Sequence, residues 1–438
     1  MGIVEVSSLE HQTTSAFLKQ SGVAAEGDSI AFRTIRDQHE LGTLRSVWTS
    51  WPGSRESDPD FFSNMIQSRA NGSLPHVIVL TRNARPDAIL VGLCERRKIR
   101  FKLGSFTIFQ PELNVLEFLP GGLRGNACEE NCAALVREVM RSLNAGGIHL
   151  ALWHRLDVQS TLYRCVLQLP FVSMRDNSPR LYDHWWLTQF PETLDAVLRS
   201  KGRNRRSKLR RKYHNALNQL LGKTRIRCFR FAAELETAIS EMEEIASKSD
   251  KRRRFGVGFF DTPQSRHQMT FAAEKGWLRI YILYIEEKPV AFWMGTLYDR
   301  CLQGDHVGYD AAWRKLSPGL FLFLNILNDL RKEDIKAIDV GCGHNQLQRC
   351  FGDLRQIEST AHIYAPTIRG LGLNLLCTAT HRATQWSRWL VKRYLGRTVN
   401  AWRSQLLPRS GSPTLSPLQT SLSQGDTDPE EENLLESP

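Results

Sequence analysis

The chain has 438 residues, 41% of them hydrophobic and 24% charged, the proportions of an ordinary soluble globular protein long enough for two domains with extensions. The formal net charge of +12 admits an anionic partner, whether a phosphorylated cofactor, RNA or an acidic membrane surface, and does not choose among them. No run of about 18 apolar residues occurs, and the first residues lack a basic start and an apolar stretch, so neither a transmembrane helix nor a signal peptide is expected. The nine cysteines are odd in number, and several stand in apolar strand-like runs. They fit small buried hydrophobes in a reducing cytoplasm.

Residues 1–28 are polar and aperiodic, a flexible leader. Residues 30–35 alternate as a strand, and 38–51 are helical up to Pro52. Strands are predicted at 76–82 and 88–94, near 98–109 and at 114–119, a helix at 129–144, and a strand at 148–152. The basic segment 191–221 is helical; its stretch 200–214 suits nucleic-acid phosphate or acidic lipid, or is a solvated face near a cofactor's phosphates. A strand at 224–231 and helices at 233–249 and 264–275 follow. Strands at 278–285, 290–298 and 302–309 are separated by turns at 286–289 and 299–300. A helix from Ser317 to about Arg331, a strand at 337–340 and a strand-like piece at 359–364 complete the second unit. The order of elements suggests two α+β units with mixed sheets, 29–185 and 186–367, arisen by duplication, although no residue-level repeat is visible. Residues 368–407 form a basic, Trp-bearing helical extension, of which 384–406 suits a membrane interface or docking on the protein's own core. Residues 408–438, rich in Ser, Pro and Thr and acidic at the end, are too polar to bury a core and are expected to be disordered.

The sharpest local signal lies at 307–319, a strand, a loop and a helix start. Ser317 suits an N-cap, Pro318 the first helical position, and Gly319 leaves room for close approach. Arg314 and Lys315 add positive charge, so free backbone N–H groups could cradle a pyrophosphate. Taken alone, the same residues also describe a well-capped helix after a polar turn.

Four pieces together resemble the BioF2-like, CelD-like branch of GNAT acetyltransferases, related to FemAB-type aminoacyl transferases. They are the basic helix 200–212, Lys251–Phe260, Pro289–Trp293 running through Gly308–Asp310 to Leu316–Gly319, and Ile338–Gly343 running to Phe351-Gly352. The resemblance covers about 194–366, and the first half is compatible with a tandem fold. It implies two GNAT-like domains and transfer of an acyl group from acetyl-CoA or another acyl-CoA to an amine or sugar acceptor, with exopolysaccharide or envelope synthesis as the setting. The implied location is the cytoplasm or the inner-membrane surface. It places the donor at Val307, Gly308, Arg314, Lys315, Ser317, Pro318 and Gly319. Asp305 and His306 become candidates for base or base relay, Tyr309 or Tyr364 for thiol acid, and Asp339 for orienting the acceptor. No metal is implied. Relatives carry a Tyr-Lys pair where this chain has Leu347-Gln348, which leaves a non-catalytic scaffold as one alternative; a transferase using aminoacyl-tRNA, favoured by the basic helix, is the other.

Residues 337–343 also look like the glycine turn of an S-adenosylmethionine methyltransferase, with Glu358 as ribose-binding acid. The third glycine is missing and too little chain follows for a doubly wound domain. Cys342, His344 and Cys350 match no standard zinc spacing.

Overall fold

The computed structural model describes residues 29–69, 72–103, 106–177, 179–189, 222–342 and 351–390, with Ser207, Arg211 and Asn218. The expectations for the leader, most of the basic helix, Leu347-Gln348, His344, Cys350 and everything from 391 onward fall outside these residues.

In the first half, β1 (Ile30–Ile35) leads to α1 (Gln38–Ser50), whose cap Asp37 accepts from the His39 N–H at 2.9 Å. A 3-10 turn at Arg55–Ser57 precedes α2 (Pro59–Ser68). Asp58 caps α2 by accepting from the Asp60 and Phe61 N–H groups, and Pro59 takes the first position, where no N–H is needed. The strands β2 (Leu74–Arg82), β3 (Arg85–Lys98) and β6 (Glu112–Gly125) follow, with a separate hairpin of β4 (Phe101–Leu103) and β5 (Phe106–Phe109) between the last two. Then come α3 (Glu129–Asn144), β7 (Leu150–Asp157), α4 (Thr161–Gln168) and β8 (Arg180–Leu187). The sequence pattern does not predict α2, α4 or β8; the helices are short, and β8 breaks the polar-out, apolar-in rule, with Leu181 exposed and His184 buried.

The second half repeats the plan with β9 (Thr224–Phe229), α5 (Leu235–Ser247), α6 (Asp250–Phe255) and α7 (Pro263–Glu274). The meander β10 (Leu278–Ile285), β11 (Lys288–Tyr298) and β12 (Cys301–Tyr309) turns at Glu286-Glu287 and Asp299-Arg300. All four turn residues have positive φ, as a two-residue turn matched to sheet twist demands. A 3-10 turn at Ala311–Leu316, α8 (Pro318–Leu330), β13 (Ala337–Cys342), β14 (Leu354–Tyr364) and α9 (Ile368–Leu390) complete the described chain.

One sheet of twelve strands runs through both halves in the order β1-β2-β3-β6-β7-β14-β8-β13-β12-β11-β10-β9. Read from either edge inward, it has three antiparallel pairings, one parallel pairing and one antiparallel pairing, then the central antiparallel pair β14·β8. This palindrome is the structural form of the tandem plan. Each half lends its last strand to the other: β14 lies against β7 of the first half, and β8 against β13 of the second. The exchange leaves β13 between a parallel and an antiparallel neighbour. This strand therefore does not open a doubly wound domain, and the methyltransferase alternative falls.

Both faces of each half-sheet are covered. Every residue of β10 is buried, and its side chains alternate between two cores. Leu278, Ile280, Ile282 and Tyr284 pack with α5 and α7, whereas Tyr281, Leu283 and Ile285 pack with α8. On α8 itself Phe321, Leu322, Phe323, Ile326, Leu327 and Leu330 are buried, each worth about 2 kcal/mol against exposure. The halves also meet through helices, where Phe61 of α2 packs edge-on against Phe271 of α7 and Lys275 pairs with Asp60 at 2.6 Å.

Candidate active site

The β11–β12 ladder carries a bulge. Met294 faces His306 and Gly295 faces Gly304, so Asp305 is the extra residue. A Cβ on Gly295 would lie 2.3 Å from the Gln303 carbonyl oxygen, which accounts for the glycine. Bulges re-aim side chains. Here the Asp305 carboxylate turns to the first half and accepts two hydrogen bonds from Arg55 Nη1 (2.9 and 3.0 Å) and one from the Thr296 hydroxyl (2.8 Å).

On its other side β12 pairs in parallel with β13 for only three rungs, the last being Gln303↔Asp339. Beyond it β13 stays with β8 while β12 runs on to Tyr309. The edge at Asp305–Tyr309 thus has no strand partner on that side among the described residues. His306 lies at this splay, its ring edge-on to Phe259 (centroids 5.8 Å apart). Burial lowers its pKa, with Lys251 adding to the effect and Asp305 opposing it, so the imidazole is neutral at pH 7. Among the described residues its nitrogens have no hydrogen-bond partner. Val307 is exposed. Gly308 answers to its β11 neighbour, since a Cβ there would meet the Phe292 ring at 2.4 Å.

The expected loop at 311–316 is a 3-10 turn capped by Asp310, which accepts from the Ala312 N–H at 2.9 Å. Arg314 is exposed and 3.4 Å from Asp250; Lys315 is exposed. Ser317 stands at the helix start but does not cap it as expected. Its backbone is left-handed (φ 51°), the side chain makes no cap bond, and its carbonyl oxygen instead accepts from the Leu320 and Phe321 N–H groups. Pro318 occupies the first helical position as expected. The Gly319 N–H has no partner among the described residues, and a Cβ there would meet only Tyr309 Cδ1, at 3.9 Å. Tyr364 is not brought here. The strand exchange places β14 three strands from β12, about 14 Å at sheet spacing, and Tyr364 is buried opposite Leu150 of the first half.

Where the halves join, a polar cluster escapes sequence reasoning. His184 of β8 is 1% exposed and stacks on Trp186. Its Nε2 is 2.6 Å from Asp339 Oδ1, and its Nδ1 is 3.0 Å from Glu358 Oε2 and 2.8 Å from Arg155 Nη2. Arg155 Nε also donates to Glu358 (2.9 Å), and the Gly341 N–H donates to Asp339 (2.7 Å). Burial would lower the His184 pKa, but hydrogen bonds to Asp339, Cys342 and Glu358 outweigh it and hold the pKa up at about 11. Two carboxylates against one imidazole favour the protonated ring, with Nδ1–H directed to Glu358; its approach to Arg155 is then a pair of like charges held by the carboxylates around them. Burial opposes ionisation of Asp339 and Glu358 as well, yet His184 and Arg155 keep both pKa values below the usual range. Asp339 is therefore a committed structural partner. His184, Cys342 and Glu358 bring possible metal ligands within 4.8 Å of one another, but the Arg155 guanidinium already supplies the positive charge a cation would bring.

Nothing local marks Arg55, Arg155 or His184 as site residues. All three lie in the first half: Arg55 on the 3-10 turn, Arg155 on β7 beside the exchanged β14, and His184 on the exchanged β8. The first half has its own buried cluster, in which Glu117 pairs with His154 (3.0 Å), Arg69 and Arg97 (3.3 Å each). α9 docks by its first turns, burying Leu373 and bonding Asn374 to the Ser173 and Arg175 carbonyls, while Trp386 and Trp389 near its end are exposed. No helix among the described residues is long and apolar enough to cross a membrane.

The fold is a tandem GNAT-like one. Residues 203–349 match the family model described as an acetyltransferase (GNAT) domain. Among solved structures the chain is similar to FemX, at 12% identity and a TM-score of 0.50, over 76% of this chain and 97% of that one. It is also similar to a conserved protein of unknown function from Bacteroides thetaiotaomicron (12% identity, TM-score 0.48, 76% and 100% covered). A tandem GNAT protein from the clavulanic acid pathway matches at 9% identity and TM-score 0.44, with 77% and 99% covered. No curated protein matches.

Proposed function

We propose that the second half is a GNAT-type acyltransferase module that takes an acyl group, acetyl in the simplest case, from an acyl-CoA to an amine or sugar acceptor. The observation that carries this is the splay. β12 loses its parallel partner after Gln303 and presents Asp305–Tyr309 as an open edge leading to the start of α8. An extended amide-bearing arm can bond along such an edge. The pyrophosphate then reaches Arg314, Lys315 and the free Gly319 N–H at the positive end of α8. The thioester supplies the activated acyl group. His306, neutral at pH 7, takes the acceptor's proton, and Tyr309, whose ring lies beside Gly319, returns one to the leaving sulfur. The finer placement among BioF2-like or CelD-like proteins rests on the four sequence pieces.

The test is calorimetric titration with acetyl-CoA, longer acyl-CoAs and S-adenosylmethionine. Binding of CoA species is expected, weakened in Arg314→Ala and abolished in Gly319→Glu. Open space above Gly319 lets the glutamate fold while its carboxylate opposes the phosphate. No CoA binding together with tight, salt-sensitive tRNA binding would overturn the proposal in favour of an aminoacyl-tRNA-dependent transferase.

A further inference from the structure

The acceptor side of the site can be carried one step further, resting on the acyltransferase reading above. We propose that Glu56, from the first half, and Gln303, on β12, receive a cationic amine of the acceptor, so that the second half's site is completed by the first.

Three observations carry this. Glu56 Oε2 and Gln303 Oε1 are both buried, with no hydrogen-bond partner among the described residues. An unpaired buried acceptor loses its hydration with nothing in return, so two in one region call for a donor. Both also adjoin the anchors of the bulged Asp305 at the mouth of the splay: Thr296, opposite Gln303 on β11, and Arg55, next to Glu56, each donate to it. Gln303 forms the last β12–β13 rung opposite Asp339. Glu56 follows Arg55, which holds the bulged Asp305, and Glu56 is near enough to Cys301 and Arg155 to shift both their pKa values.

The charge balance comes third. Arg55, Arg155 and protonated His184 face Glu56, Asp305, Asp339 and Glu358, leaving one negative charge in excess. A neutral hydroxyl leaves that excess in place, whereas an ammonium cancels it and brings donors only, matching two orphan acceptors. Water is the competing occupant, because Arg55 Nε is a donor that also lacks a partner among the described residues.

The experiment uses the full chain with spermidine and glucosamine as cationic probes and glycerol and glucose as neutral ones, each titrated by calorimetry with acetyl-CoA present. Saturable binding of a cationic probe is expected, weakened at least about tenfold in Glu56→Gln and restored in the double variant Glu56→Gln/Gln303→Glu, which moves the carboxylate to the second acceptor. The inference is overturned if neither amine binds, if Glu56→Gln binds it equally, if the double variant fails to recover it, or if neutral probes bind as well. Acetyl-CoA binding measured in the same samples separates these outcomes from failure of the donor site.

Discussion

Asp339→Asn tests the seam between the halves. The asparagine keeps the shape but removes the charge that lies 2.6 Å from His184 Nε2 and 3.5 Å from Arg155. Arg155 and His184 would then share Glu358 alone. Breaking a buried pair costs about 3–5 kcal/mol. With a melting temperature that falls by about 2–4 °C per kcal/mol in units of this size, the variant should melt on the order of 10 °C lower. The pH dependence is more telling. Folding raises the His184 pKa from 6.5 to about 11, so its stabilisation is complete below pH 6.5 and is lost as pH rises toward 11, at up to about 1.4 kcal/mol per pH unit. The two carboxylates act oppositely: their pKa values are lowered, so their share is present above about pH 4 to 5 and fades on acidification. Urea unfolding at pH 7, 8 and 9 should show stability declining with pH in the parent protein and less steeply in Asp339→Asn. Equal slopes, or an NMR titration placing His184 near 6.5, would refute a protonated, carboxylate-clamped ring.

Two further outcomes follow from the geometry. In the first half, hydrogen bonding from His154 and the charges of Arg69 and Arg97 overcome burial and pull Glu117 down to about 2. Its stabilisation is present above about pH 4.5 and lost as pH falls toward 2, so Glu117→Gln should flatten the acid limb of the stability curve and cost about 3 kcal/mol near neutrality, read by urea unfolding. Gly295→Ala should cost a few kcal/mol by thermal melting, because its Cβ would strike the backbone carbonyl of Gln303 and disturb the Asp305 bulge; Gly372→Ala, with open space around it, is the matched control.

Much of the second half was legible in the sequence because its signals are local. Residues 278–285 form a strand at the bounds their pattern predicts, and the helix at 129–144 in the first half does the same. The start of α8 was legible too, through Pro318, although Ser317 takes a left-handed backbone instead of capping. Periodicity and end signals depend on residues a few positions apart, and a sequence displays those directly.

What tertiary structure alone decided is which residues meet. Asp305 stood out as a candidate, but its partner Arg55 is 250 positions away, and His184 finds Asp339 and Glu358 at separations of 155 and 174. The His184 meetings follow from the exchange of β8 and β14, and the Arg55–Asp305 pair from the packing of the first half's 3-10 turn against β12; no local pattern encodes either. Burial then sets their chemistry, committing Asp339 and Glu358 to the seam and leaving His306 neutral beside the open edge of β12. The sequence by itself determined a tandem plan and a helix start at Pro318; long-range pairing and desolvation decided which of its polar residues are committed to partners.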